Sequence, residues 1–118
     1  MNKICVAILL GIASWQVGAT ASFMDGKALL GDCESQSPAS FAICLGYLEA
    51  AVDTHNTWVG WKDLHAKICV PKGVKPEELR LVVVKYLNDN PKLLHVSGSS
   101  LVLNALMGAF PCDESGTH

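Results

Sequence analysis

The arrangement of cysteines constrains this chain most. Met1-Asn2-Lys3 opens it with a positive charge, residues 4–12 are an apolar run, and Ala19-Thr20-Ala21 has the small-x-small form of a cleavage site. That order is the mark of a secretory signal peptide over residues 1–21, and it leaves one domain over residues 22–118. Cys5 departs with the leader, and no lipobox surrounds it. Cys33, Cys44, Cys69 and Cys112 remain, an even number in a small exported chain. In an oxidising compartment such a set forms disulfides.

The cysteines are spaced by 11, 25 and 43 residues, without a C-x-x-C. This excludes a thioredoxin-type redox pair, a zinc ribbon and c-type haem attachment. Four cysteines allow three pairings, and spacing does not choose among them. The expected map is Cys33–Cys44, across a short polar break, with Cys69–Cys112 tying the middle of the chain to its end. Loop-closure entropy assigns about 3 kcal/mol to the first and about 4 kcal/mol to the second, but the alternatives score similarly.

Hydrophobic periodicity points to helices. Asp25 is placed to cap a short helix carrying Leu29, Leu30 and Cys33. Ser37-Pro38 starts a second, where Phe41, Cys44, Leu45, Leu48 and Val52 form a stripe to about His55. Its small residues Gly46, Ala50 and Ala51 would let another helix approach closely. Residues 54–67 are the least periodic, and Ile68-Cys69-Val70-Pro71 is a short run stopped by proline. Lys75-Pro76 starts a third helix with Glu77 and Glu78 in its first turn, where the helix dipole favours carboxylates. Leu79, Val82, Val83, Tyr86 and Leu87 continue it with helical spacing, which outweighs the strand preference of Val82-Val83-Val84. Pro91 opens a last helix running to about Ala109, with Gly98 inside it at a cost of about 1 kcal/mol. Phe110-Pro111-Cys112 stops it, and residues 113–118 are expected to fray. The fold class is all-α: a small bundle of four to five helices stapled by two disulfides.

Charge removes other classes. Losing Lys3 with the leader takes the formal net charge from −2 to −3. A mildly acidic domain is a poor partner for nucleic acid or an anionic membrane. After the leader, no stretch approaches the roughly 18 apolar residues of a membrane span. Reactive chemistry is equally sparse. There is no phosphate-binding loop, no H-E-x-x-H and no G-x-S-x-G. His55, His65, His95 and His118 are scattered, Glu77-Glu78 serves a helix start, and bridged cysteines cannot act as nucleophiles. No catalytic residue, metal site or cofactor is expected.

Residues 53–63 stand out instead. Asp53, His55, Asn56, Trp58, Trp61, Lys62 and Asp63 combine two tryptophans with polar neighbours, the composition of binding hot spots. They are the expected partner-binding surface, presented on a loop. In the competing structural reading, the indoles seal the core beneath that loop. A helix face is the competing location for the contact surface.

In order along the chain come Leu29-Leu30-Gly31-Asp32-Cys33, Cys44-Leu45-Gly46-Tyr47-Leu48-Glu49-Ala50 and Ile68-Cys69-Val70-Pro71 with Val74. Then follow Val82-Val83-Val84-Lys85-Tyr86-Leu87 with Asn90-Pro91, and Leu101-Val102, Ala105-Leu106 and Ala109-Phe110-Pro111-Cys112. This series resembles the Rap/Tai family of type VI secretion immunity proteins, over nearly all of the chain after the leader. The resemblance implies a helical, disulfide-bonded periplasmic protein, often a homodimer, that binds a peptidoglycan amidase effector and blocks its cleft. The matched motifs are scaffold, and residues 53–67 fall between them. Two other functions compete: a periplasmic stress or chaperone-like helical protein, which would have to open its stripes against two bridges, and a small-molecule carrier, which would need an apolar cavity.

Overall fold

The computed structural model describes residues 22–113. The expected leader over residues 1–21, with Cys5 and Trp15, and the expected tail from residue 114, with His118, lie outside the described residues. Four helices make up the fold: α1 (Gly26–Glu34), α2 (Pro38–Gly60), α3 (Pro76–Asp89) and α4 (Gly98–Ala109), with a 3-10 turn over Pro91–Leu93. Among the described residues there is no strand, only isolated bridges between Asp25 and Ser97 and between Ile68 and Pro111. The all-α, doubly bridged bundle expected from the sequence is therefore the observed one.

Each helix packs against the other three. The shared core is Leu29 and Cys33 from α1, Cys44 and Leu48 from α2, Leu79, Val83 and Leu87 from α3, and Leu101, Val102, Ala105 and Leu106 from α4, closed at one end by Ile68. These are helically spaced positions on each element, so every helix buries one stripe. On α3 the fully buried stripe is Leu79, Val83 and Leu87, and the neighbouring Val82 and Val84 pack partly against the core.

Both disulfides have the expected pairing. Cys33–Cys44 joins the end of α1 to the first half of α2, and Cys69–Cys112 joins the connection between α2 and α3 to the segment after α4, each with Cα atoms 5.0 Å apart. The second is reinforced by the Cys69 N–H, which donates to the Phe110 carbonyl at 2.8 Å.

Two helix boundaries differ from expectation. The helix expected from Pro91 is interrupted, and α4 begins only at Gly98. The intervening segment serves α1 instead. The Gly26 and Lys27 N–H groups, which begin α1 and have no intrahelical partner, donate to the carbonyls of Val96 and Leu94 at 3.0 Å each. The Gly98 N–H returns a bond to the Met24 carbonyl at 2.8 Å. Asp25 caps α1 as expected, its carboxylate accepting from the Ala28 N–H at 2.8 Å. The approach is so close that a Cβ on Gly26 would run into Leu101 Cδ1. Gly98 thus lies at a helix start, not inside a helix, and the interior penalty does not apply. Ser37 sits at the N-cap position of α2 without a side-chain cap bond.

The other difference is α2, which runs to Gly60 rather than His55. Its end is a Schellman closure: the Lys62 N–H donates to the Val59 carbonyl at 3.0 Å, and the Asp63 N–H to the Trp58 carbonyl at 3.1 Å. Lys62 occupies the left-handed position, φ 65°, that glycine usually fills.

Candidate functional site

Because α2 continues, most of the residues singled out in the sequence lie on a helix, not on a loop. Asp53, His55, Asn56 and Trp58 are on the last two turns of α2, and Trp61, Lys62 and Asp63 form its closure. Asp53, Asn56, Trp58, Trp61, Lys62 and Asp63 are exposed. His55 is not: it is 5% exposed and is the one buried polar side chain among the described residues. Its Nε2 accepts the Lys67 backbone N–H at 3.3 Å, which assigns the ring proton to Nδ1, 3.2 Å from Asn56 Oδ1. His55 therefore positions the connection, and as a mostly buried ring it forms part of the floor of the groove between α2 and α4.

The indoles of Trp58 and Trp61 meet edge to face, with centroids 5.5 Å apart and planes at 76°. Trp58 is 46% exposed and Trp61 66%. An edge-to-face pair is a favoured aromatic geometry, so each ring limits the other's freedom. Leu64, also exposed, stands beside them on the connection. Rings this open do not seal the core, and they make an apolar surface that water now covers.

The patch continues into a groove between α2 and α4 of about 360 Å³. Tyr47, Ala51 and Trp58 form the α2 wall, Leu103 and Ser99 the α4 wall, and Leu64 closes the end. The spacing of Tyr47, Ala51 and Trp58 puts them on one side of the helix, next to the buried Cys44–Leu48–His55 stripe. Sequence reasoning missed the α4 wall and Leu64, because Leu103 falls off the core stripe and Leu64 lies in an aperiodic stretch. Of the small residues expected to admit a close helix, Ala50 and Ala51 line this groove, whereas Gly46 is exposed with nothing within 4 Å of where its Cβ would be.

The two helices that wall this groove carry charge of one sign only. α2 carries Glu49 and Asp53 and no Lys or Arg, and α4 carries no charged residue. Among the described residues, no three His, Cys, Asp or Glu side chains are grouped to hold a metal ion. No helix among them is long and apolar enough to cross a membrane. The arrangement has the means to bind an apolar or aromatic surface.

The family model described as Rap1a immunity proteins matches residues 25–112. That span runs from the α1 cap to the last cysteine and includes all four helices and both bridges. No curated protein matches the chain, and no solved structure does.

Proposed function

This chain belongs to the Rap1a immunity protein family, and from that premise we propose that it is a periplasmic immunity protein that binds and inhibits a peptidoglycan amidase effector of a type VI secretion system. Immunity acts by occupying a toxin, so the protein needs a preordered surface and no reactive group. The observation that carries the reading is the exposed Trp58–Trp61 pair on the rigid end of α2, beside an apolar groove. Tryptophan supplies large contact area with few torsions to freeze, and two disulfides hold the scaffold that presents it, so little ordering entropy is lost on association. Asp53, Asn56, Lys62 and Asp63 form the polar rim, and His55 supports the surface from beneath.

Residues 1–21 act in this proposal as the leader that delivers the chain to the compartment where the bridges form and the cell wall is attacked. The test is a pull-down from periplasmic extract with the oxidised protein, followed by an amidase assay on the captured partner with and without added immunity protein. A stoichiometric complex with suppressed amidase activity supports the reading. Captured protein without amidase activity, or turnover of a substrate by the purified chain alone, overturns it.

A further inference from the structure

The outer lip of the groove between α2 and α4 is low: Ala50 and Thr54 line it, and beyond Ala50 lie Gly46 and then the carboxylates of α2. On a helix, Glu49 and Asp53 lie one turn apart on one side of Gly46 and Ala50, while Tyr47 and Ala51 lie on the other. Gly46 and Ala50 are both exposed, and nothing stands within 4 Å of where a Cβ on Gly46 would be. An extended segment can therefore lie across α2 here without meeting a large side chain.

Both carboxylates are exposed, and neither enters a hydrogen bond or ion pair within the described chain. Among the described residues, neither α2 nor α4 carries a Lys or Arg: Lys27 is on α1, Arg80 and Lys85 on α3, Lys92 on the 3-10 turn, and Lys62, Lys67, Lys72 and Lys75 on the connection between α2 and α3. Lys62 and Asp63, at the end of α2, partly offset each other. The middle of α2 thus borders an apolar slot, with two unpaired carboxylates on the far side of the same helix.

We propose that the α2–α4 groove takes one apolar side chain of a protein partner while a Lys or Arg on the same segment crosses the Gly46–Ala50 ridge to pair with Glu49 and Asp53. This rests on the reading of the chain as a protein-binding immunity module and adds what the partner presents to it. The apolar side chain supplies desolvated contact, and the basic one fixes the direction in which the segment lies, because a reversed segment would leave its cation over uncharged α4.

The test is selection of a random-peptide display library on the full oxidised chain, with calorimetry on synthetic copies of the enriched peptides. The expected consensus is a Leu, Ile, Met or Phe with a Lys or Arg a few positions away. Ala50→Phe, an exposed substitution that raises the ridge and narrows the slot, should weaken binding at least about tenfold. Glu49→Gln with Asp53→Asn should weaken it about threefold to tenfold at low salt and much less at high salt. Leu81→Ala, on exposed α3, should change nothing. The proposal is overturned if no peptide is enriched, if the consensus is acidic or lacks a basic residue, or if Ala50→Phe has no effect while the helical circular dichroism is intact. It is also overturned if the wild-type chain self-associates and Ala50→Phe abolishes that, since a second copy would then be the occupant. A chain that selects the expected peptides yet captures no amidase keeps this surface and loses the amidase reading. One that captures an amidase insensitive to Ala50→Phe does the reverse.

Discussion

His55, on α2, accepts the backbone N–H of Lys67 at 3.3 Å across twelve residues of sequence. The bond links the rigid part of the bundle to the connection that carries Leu64 and leads into Cys69. Replacing His55 with Leu keeps the apolar contact and removes the acceptor. The expected cost is about 1–2 kcal/mol, that of leaving a partly buried donor unpaired. Native-state hydrogen exchange should show the Lys67 amide opening faster while the Val83 and Leu106 amides keep their global protection. Unchanged exchange at Lys67 would mean that the bond contributes nothing in solution.

Lys62 holds a left-handed backbone at the Schellman position that closes α2. A side chain there costs about 1 kcal/mol relative to glycine. Lys62→Gly should therefore raise stability by up to about 1 kcal/mol in urea titration, offset in part by the greater entropy of an unfolded glycine. If the variant binds a partner less well while being more stable, the lysine is a contact residue and its strain is tolerated for binding.

Helix end signals were legible where proline, aspartate or cysteine supplied them. Asp25, Pro38, Pro76 and the Phe110-Pro111-Cys112 stop all lie at the expected boundaries. The end of α2 was not, because the left-handed position carries lysine rather than glycine and because His55 sits on the buried face, where a polar residue breaks the hydrophobic period. The start of α4 was obscured by long-range bonds: Leu94 and Val96 turn their carbonyls to α1, which no local pattern records. The exposure of Trp58 and Trp61 has the same character. Composition marked them as unusual, but only the extra helical turns show which way the rings face.

Arg80, the single arginine of the chain, reaches from α3 to the end of α1. Its Nη1 donates to the Cys33 carbonyl at 2.8 Å, and its guanidinium lies over the Phe41 ring, 5.4 Å from the centroid. A cation at a helix C-terminus also complements the dipole. Arg80→Ala should cost about 2 kcal/mol. Arg80→Lys should recover part of this, because an ammonium replaces the charge but not the planar stacking. Full recovery in lysine would assign the contribution to charge alone.

The two disulfides should be separable. Removing Cys33–Cys44 with a double Ala substitution should cost about 3 kcal/mol, and removing Cys69–Cys112 about 4 kcal/mol. The second also releases the short backbone pairing of Ile68 with Pro111, so proteolysis should begin in the connection between α2 and α3 when that bridge is absent. Chemical denaturation of each double variant with limited proteolysis reads both effects. Equal cleavage patterns in the two variants would contradict the assignment of the connection to the second bridge.

The central claim is that the exposed aromatic pair at the end of α2 is what the chain uses to occupy an effector. The most direct measurement is calorimetric titration of the Trp58→Ala, Trp61→Ala double variant against the amidase captured by the wild-type protein. The account predicts at least a hundredfold loss of affinity, about 2.7 kcal/mol or more, with an unchanged helical circular dichroism spectrum. Wild-type affinity in the double variant would contradict it, as would a collapse of the fold showing that the indoles belong to the core.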